Sequence, residues 1–198
     1  AFLPDGNGNF VSAGELLLEE SKTNLVTYSE DAIQGLTSIS GVNITLNQGV
    51  APDGTNTANK ISDLDTVAQY VAKIGLVAGT YTFSFWIKAV GNNTGTWGIN
   101  YYDGSFHRTT VPVTTEWERR TFTFTSVATT NVYLADNRDG LATLSEALVW
   151  GFQIEQGSYA TSYIPTLGAT ATRAADVSSS SSITIGNSFY KESEGTLF

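Results

Sequence analysis

The sequence predicts an all-β protein, a two-sheet antiparallel β-sandwich with few or no helices. Residues 79–88 alternate large apolar side chains with small or polar ones, as in a strand whose two faces differ in environment. Further β-branched and aromatic runs follow at fairly regular intervals between turn signals. Helical periodicity is weak, and its best stretches, residues 31–36 and 141–146, predict single turns at most. Many short strands with so little helix are typical of a sandwich.

The predicted strands follow an N-terminal arm and are separated by turns with a physical basis. Pro52 and Gly54 predict a tight turn, since proline presets φ and glycine accepts a positive φ. Asp103 and Gly104, between two aromatic-rich runs, are the strongest hairpin signal in the chain. We predict strands at residues 15–20, 24–28, 39–47, 57–62, 67–75, 79–90, 95–103, 105–114, 117–127, 130–136 and 147–156.

The composition of the chain predicts three parts. Residues 1–20 form an arm and first strand, and residues 21–175 form the sandwich domain. Residues 176–198 begin with a serine-rich linker, which offers nothing to bury, and end in strand-like sequence that we interpret as the start of a truncated following domain. Because the chain also starts without methionine, we expect it to be a piece of a longer protein.

Charge and residue usage exclude several classes of function. The net charge is −9 and no run of lysine or arginine occurs, so the chain lacks the usual signature of a nucleic-acid-binding protein. Cysteine is absent, which excludes disulfides, thiolate metal sites and cysteine nucleophiles. A single histidine provides no histidine pair for zinc. No window has the apolar length of a membrane span, so we expect no membrane insertion.

The strand at residues 79–88 carries an indole on its polar side. Tyr81, Phe83, Phe85 and Ile87 supply the face expected in the core, which leaves Trp86 on the opposite face. A ring on a sheet surface presents an apolar plate to the C–H face of a sugar, while neighbouring polar groups take the hydroxyls. The alternative is that Trp86 packs under a loop or at the rim of the other sheet, since tryptophan is often largely buried.

Other polar and aromatic residues are expected beside Trp86. Trp97, Ile99 and Tyr101 supply the face of the next strand expected in the core. Asn100 and Tyr102 lie on the opposite face, and they point where Trp86 points if the two strands are neighbours. After the hairpin turn, His107 and Arg108 lie on opposite faces, so one of them joins Tyr102. The candidate carbohydrate-binding residues are therefore Trp86, Lys88, Asn100, Tyr102, His107 and Arg119. For His107 and Arg119 the alternative is an ordinary solvated strand residue.

The remaining tryptophans are interpreted as structural. Trp117 is expected to close one end of the core, next to two phenylalanines that share a face of the following strand. Trp150, Phe152 and Ile154 alternate as a last core strand.

No arrangement of residues predicts catalysis. The sequence contains no Gly-x-Ser-x-Gly elbow and no phosphate-cradling glycine loop, and its carboxylates are scattered over predicted loops. Residues 136–140 (DNRDG) do not fit a calcium loop, because Arg138 stands where a ligand belongs, so we predict a turn there. We therefore expect a protein that is not an enzyme.

Several runs, in this order, resemble the jelly-roll carbohydrate-binding modules of the galactose-binding-like type. They are residues 24–31 (NLVTYSED), 51–55 (APDGT), 79–88 (GTYTFSFWIK), 117–124 (WERRTFTF) and 150–157 (WGFQIEQG). The variant with residues 153–157 (QIEQG), 161–166 (TSYIPT) and 172–176 (TRAAD) is similar to modules of bacteriophage tail and virion-surface proteins, in which a lectin-like domain often follows.

The resemblance implies a non-catalytic module that binds polysaccharide or a cell-surface glycan in a virion tail or surface protein. It also implies virion partner chains; phage fibres are commonly trimeric, so a homotrimer is one open assembly among others. Two alternatives stay open: a structural, decorating or oligomerising module that binds no sugar, and the targeting module of a larger polysaccharide-degrading enzyme. Many such modules hold a structural calcium with paired aspartates on the last strand, but Trp150 and Phe152 occupy that stretch here. Glu30 and Asp31 remain as weak calcium candidates.

Overall fold

The computed structural model describes residues 2–4, 10–12, 19–34, 37–38, 42–62, 69–138 and 140–176. Every regular element in these residues is a strand, which confirms the predicted all-β class. None of these residues belongs to a helix long and apolar enough to cross a bilayer. The predicted serine-rich linker and the strand-like sequence after it lie outside the described residues. The strands are β1 (Phe2–Pro4), β2 (Phe10–Ser12), β3 (Lys22–Asn24), β4 (Thr37–Ser38), β5 (Asn43–Gly49), β6 (Ala58–Ser62), β7 (Gln69–Leu76), β8 (Gly79–Lys88), β9 (Gly95–Tyr102), β10 (Phe106–Val113), β11 (Glu118–Ser126), β12 (Thr130–Asp136), β13 (Ala147–Gln156) and β14 (Ala171–Arg173).

Two five-stranded antiparallel sheets form the sandwich. Sheet I has the strand order β10-β9-β12-β7-β4, and sheet II has the order β11-β8-β13-β6-β5. The chain passes from one sheet to the other between β4 and β5, β6 and β7, β7 and β8, β8 and β9, β10 and β11, β11 and β12, and β12 and β13. Both sheets belong to a compact unit of residues 22–173, and residues 1–21 with 174–198 form a second unit. In the first unit β3 also pairs with β14, and in the second β1 pairs with β2.

The main core lies between the two sheets and follows the predicted alternation. Sheet II contributes one face of β8, and the opposite face of that strand points away from the core. In sheet I the Trp97 ring is fully buried, and its indole N–H donates to the Leu134 carbonyl at 2.7 Å. The largest core side chains, all buried, are Tyr81, Phe83, Phe85, Ile87, Trp97, Ile99, Phe124, Leu134, Phe152 and Ile154.

A β-bulge in β13 reverses one predicted side chain. Trp150 pairs with Trp86 across the ladder and Gln153 pairs with Ser84, so β13 has one more residue than β8 between these positions. Gly151 occupies the bulge with φ of 65°. The prediction that Trp150 lies in the main core with Phe152 is wrong, because the extra residue shifts the alternation and sends Trp150 to the outer face of sheet II.

Candidate functional site

The predicted site residues fall into two groups that lie in different sheets. Trp86 and Lys88 on β8 and Arg119 on β11 belong to sheet II, whereas Asn100, Tyr102 and His107 on β9 and β10 belong to sheet I. The expectation that they surround one ligand is wrong, because it assumed that β8 and β9 are neighbours in one sheet. The chain instead crosses between sheets there, so the structure places two candidate surfaces on the two outer faces of the sandwich.

The outer face of sheet II carries a second, smaller apolar core, which we call the tryptophan cluster. Trp86, Trp117 and Tyr163 pack there against Trp150 and two buried alanines. The Trp86 ring centroid lies 5.4 Å from that of Trp150 and 5.4 Å from that of Tyr163. Trp150 is only 3% exposed, and its indole N–H donates to Thr57 Oγ1 at 2.9 Å. Trp117 belongs to this cluster and not to the end of the main core, contrary to the prediction.

The segment at residues 157–166 lies over this face of sheet II and half-buries Trp86. Thr82 Oγ1 donates to the Gly157 carbonyl at 3.0 Å, and Gln153 Nε2 donates to the Ser162 carbonyl at 3.2 Å. Trp86 does face away from the main core, as predicted, but it packs under the segment that follows β13. Packing under a loop was the alternative interpretation for Trp86. The alternation of side chains along β8 could not decide between the two interpretations, because it specifies the face on which a side chain lies and not what covers that face.

The two basic residues predicted beside Trp86 are both engaged in packing. The Arg119 guanidinium carbon lies 4.8 Å from the centroid of the Trp86 ring. Its Nη1 donates to the Thr161 carbonyl at 2.7 Å and its Nη2 donates to Ser84 Oγ at 2.9 Å. Lys88 Nζ lies 5.5 Å from the ring centroid of Trp117. Arg119 therefore fastens the covering segment to the sheet instead of being a solvated charge.

The outer face of sheet I carries a different group, which we call the arginine–aromatic face: Tyr102, Phe106, Arg108, Tyr133 and Arg138 around Asp136. Phe106 remains 42% exposed although it lies on a strand. Its ring centroid is 4.6 Å from that of Tyr102 and 6.2 Å from that of Tyr133. The guanidinium carbons of Arg138 and Arg108 lie 4.0 Å and 4.8 Å from the same centroid. The face thus combines an accessible ring with two planar cations.

A buried carboxylate holds this face together. Asp136 accepts hydrogen bonds from Arg138 Nε at 2.8 Å, from Arg138 Nη2 at 2.5 Å and from Asn100 Nδ2 at 2.9 Å. Burial by itself would raise the pKa of Asp136, but the hydrogen bonds and charge of Arg138, with Asn100, hold that pKa below its usual value. Gly98 makes room here, since a Cβ on it would fall 1.9 Å from the Asp136 carbonyl oxygen. Asn100 was predicted to face a ligand, but it is fully buried. Its side chain instead positions the Asp136 carboxylate.

Across the β9–β10 hairpin, it is Arg108 and not His107 that joins Tyr102. Tyr102 is the cross-strand partner of Phe106, and Asn100 is the partner of Arg108. His107 instead stacks on Tyr101, with ring centroids 4.2 Å apart, and its Nε2 lies 2.9 Å from Asp103 Oδ1. His107 therefore does not join Tyr102, because its side chain lies on the other face of the hairpin.

Sequence reasoning missed three members of the arginine–aromatic face, Phe106, Tyr133 and Arg138, and left Arg108 open as the alternative to His107. The Asp103-Gly104 signal, extended to strand register, indicates that residues 106 and 108 lie opposite residues 102 and 100. The contribution of β12 had no such local signal, since β12 reaches β9 from a distant part of the sequence.

The calcium candidates Glu30 and Asp31 are engaged with protein groups. Asp31 Oδ1 accepts from the backbone N–H groups of Ile33 and Gln34, both at 2.9 Å, so it caps a turn. Glu30 Oε1 accepts from the Tyr163 hydroxyl at 3.1 Å; burial, with the Glu30 charge, raises the pKa of that phenol. Within the described ranges no group of three acidic, histidine or cysteine side chains is placed to hold a metal. The weak calcium candidates Glu30 and Asp31 therefore have no third side chain of this kind beside them among the described residues.

Both carboxylates line a cavity of about 430 Å³ beside β5 and β6. Asn59 and Thr166 also line it, and Asn59 Oδ1 and Thr166 Oγ1 are buried without a hydrogen-bond partner in the structure. The cavity is thus rich in acceptors and provides a second place for a hydroxylated ligand.

Comparisons with known proteins identify the fold. No family model matches the chain, and no curated protein matches it. The CBM22-1 xylan-binding domain of Paenibacillus barcinonensis Xyn10C matches with a TM-score of 0.50 and 15% identity, over 75% of this chain and 100% of that domain. The CBM22-1–CBM22-2 tandem domain of the same protein matches with a TM-score of 0.51 and 15% identity, over 72% of this chain and 49% of that one. The chain therefore has the same β-sandwich fold as these two domains.

A bacteriophage protein also matches, at a lower level of similarity. It is the enzymatically active domain of tailspike protein 4 of bacteriophage CBA120, with a TM-score of 0.37, 11% identity, and coverage of 60% of this chain and 18% of that one. A similarity this low carries no structural argument, so the phage context stays a prediction.

Proposed function

We propose that residues 22–173 form a non-catalytic carbohydrate-binding module whose ligand lies on the arginine–aromatic face. The observation that carries this proposal is Phe106, an aromatic ring 42% exposed on a strand and bordered by Tyr102. An aromatic surface of this kind suits the C–H face of a sugar ring, and the surrounding guanidinium groups donate hydrogen bonds to its oxygens. The tryptophan cluster is less suitable, because residues 157–166 already cover it.

The solved neighbours support the class of ligand, not its identity. One of them is a xylan-binding domain with the same sandwich, and polysaccharide is the ligand class that we carry over from it to this chain. Because one fold hosts many functions, the proposal depends on the residues of the face itself.

We extend the proposal to the setting that the sequence resemblance implies, a bacteriophage tail or virion-surface protein that contacts a host glycan. Other virion chains would then be its partners, with a homotrimer as one open assembly. The targeting module of a larger polysaccharide-degrading enzyme would use the same face in the same way.

The proposal is tested by screening the chain against a broad panel of immobilised polysaccharides and measuring the best binder by titration calorimetry. Phe106→Ala should weaken binding by about tenfold or more, since a lost stacking contact is worth about 1.5 kcal/mol. Tyr159→Ala is the matched control, because Tyr159 is a similarly exposed ring, 51%, that lies in the segment covering sheet II. Tyr159→Ala should bind the polysaccharide with the same affinity as the unaltered chain.

Two outcomes would overturn the assignment. Binding that survives Phe106→Ala but is lost in Leu167→Trp, which fills the acceptor-rich cavity, would move the site to that cavity. Failure to bind any member of the panel would favour the structural or oligomerising module.

A further inference from the structure

We infer that the glycan bound by the arginine–aromatic face is acidic, and that Arg108 binds a carboxylate group on it. This inference rests on the proposed function and names the class of sugar that the same face accepts. It follows from how two guanidinium groups lie around one carboxylate. Arg138 satisfies the Asp136 carboxylate, so the Arg108 guanidinium is available to bind a ligand.

Asp136 is satisfied without Arg108. Its carboxylate accepts from Arg138 Nε and Nη2, from the Arg138 backbone N–H at 3.1 Å and from Asn100 Nδ2. An ionised carboxylate has about four acceptor positions, so these hydrogen bonds fill it. Arg108 Nε approaches Asp136 Oδ2 only to 3.5 Å and makes no hydrogen bond with it. Arg108 is therefore not required to satisfy the buried carboxylate.

Among the residues that the structure describes, the charges on the face leave one cation in excess. Asp136 balances the Arg138 guanidinium, with which it makes the shorter contacts, and Asp136 is the one ion-pair partner of Arg108 among the described residues. The surplus positive charge stands out in a chain whose net charge is −9. A neutral sugar needs no such charge, whereas an acidic sugar gains from it in both binding strength and rate of encounter.

The position of Arg108 prepares it for a carboxylate. Its guanidinium carbon lies 4.8 Å from the Phe106 ring centroid, and the side chain is 28% exposed. Contact with the ring restrains the guanidinium group without using its N–H donors, which lie in the guanidinium plane. Planar donors of this kind match a carboxylate through two parallel hydrogen bonds, a geometry that lysine cannot provide. A sugar lying on Phe106 would bring a carboxylate on its ring within reach of this group.

The test compares acidic oligosaccharides with their carboxyl-reduced forms, in which each carboxylate is replaced by CH2OH on the same backbone. The probes are oligogalacturonate, oligomannuronate and a glucuronate-bearing xylo-oligosaccharide, each measured against the 198-residue chain by titration calorimetry. At least one acidic probe should bind about tenfold or more tightly than its reduced form, as expected for a bidentate charged hydrogen bond. That preference should shrink when sodium chloride is raised from about 50 mM to about 500 mM.

Substitution of Arg108 isolates its contribution. Arg108→Gln should remove the preference for the acidic probe, because it lowers the affinity for the acidic probe about tenfold more than the affinity for the reduced probe, and Arg108→Lys should restore only part of the preference. Arg120→Gln is the matched control: Arg120 is a partly exposed arginine on sheet II that donates from Nε to the Pro112 carbonyl at 2.8 Å. It should leave the preference unchanged.

The outcomes separate this inference from the proposed function. Equal affinity for every acidic probe and its reduced form, or a preference that persists in Arg108→Gln, overturns the acidic specificity and leaves a module for neutral glycans. Loss of all binding, including to the neutral panel, overturns the proposed function and this inference together. A thermal melt of each variant confirms that the folded protein is being compared.

Discussion

The two outer faces of the sandwich use the same pair of groups, an aromatic ring with a guanidinium against it, for different ends. On sheet II Arg119 lies over Trp86 and donates to the carbonyl of Thr161 in the covering segment. On sheet I Arg108 and Arg138 lie against Phe106, which keeps 42% of its surface exposed. The chemistry of the pair does not distinguish a packing contact from a binding surface. What distinguishes them is whether a later part of the chain covers the ring.

The two faces also differ in how their cations are compensated. Arg119 donates to neutral acceptors, the Thr161 carbonyl and the Ser84 hydroxyl. Arg138 instead makes a two-point contact with the Asp136 carboxylate, whose side chain is fully buried. Electrostatics therefore dominates the construction of the sheet I face, while apolar packing dominates that of the sheet II face. Substitutions on the two faces should differ in size and in pH dependence accordingly.

Asp136→Asn should give the largest effect, because it removes the countercharge of the Arg138 guanidinium from a buried position. We expect a loss of about 4 kcal/mol in the free energy of unfolding at pH 7, within the range for breaking a buried ion pair. The pKa of Asp136 is lower in the folded chain than the usual value of 3.8. Its stabilisation is therefore fully present above that value and is lost as the pH falls through the folded pKa. Urea unfolding from pH 7 to pH 2 measures both effects.

The matched control for Asp136→Asn is Glu146→Gln, which breaks the Lys60–Glu146 ion pair on sheet II. That pair is partly exposed, so its loss should cost less than about 1 kcal/mol. A difference in the free energy of unfolding between the unaltered chain and Asp136→Asn that stays constant down to pH 2 would contradict the role given to the carboxylate. A gap no larger than that of the control would contradict it as well.

Trp86→Ala should give the next largest effect and decides whether the tryptophan cluster packs or binds. The substitution removes ring contacts with Trp150, Tyr163 and Arg119. We expect a loss of about 3 kcal/mol in the free energy of unfolding, at the low end for a large ring because Trp86 is only half-buried. Glycan affinity, measured by calorimetry well below the melting temperature, should be unchanged. Trp86→Phe, which keeps a ring, should recover part of the stability.

Stability within about 1 kcal/mol of the unaltered chain, together with lost glycan binding in Trp86→Ala, would reverse the comparison between the faces. Trp86 would then be the sugar platform that the sequence pattern suggested, and the covering segment would have to allow a ligand to reach it.

The sequence predicted what depends on local periodicity. The alternation of residues 81–87 identified the core face of β8, and the same reasoning placed Trp97 and Ile99 in the core of sheet I. The Asp103-Gly104 signal located the hairpin between β9 and β10. Each of these depends on a few consecutive residues, so a single sequence contains enough information to predict it.

Long-range placement could not be predicted in the same way. That β8 and β9 lie in different sheets depends on pairings with β13 and β12, which are distant in sequence. The position of Arg138 on the same face as Phe106 depends on the same pairings. The covering of Trp86 by residues 157–166 depends on tertiary contacts that no periodicity encodes. The candidate site was accordingly split, and only Tyr102 of the predicted residues remains on the surface now proposed to bind the ligand.

Gly151→Ala should give the smallest effect and tests how the bulge builds the tryptophan cluster. Gly151 has φ of 65°, and a Cβ at this position would lie 2.7 Å from Trp86 Cε3. We expect a loss of about 2 kcal/mol, since the left-handed conformation costs an alanine about 1 kcal/mol and the indole must also shift. Gly91→Ala is a control for the backbone alone, because Gly91 has φ of 62° and open space where its Cβ would stand. Equal losses of unfolding free energy in the two variants would show that Trp86 can move at no cost. The glycine would then serve only the backbone of the bulge, and the close approach of Trp86 to β13 would contribute nothing to the rigidity of that face.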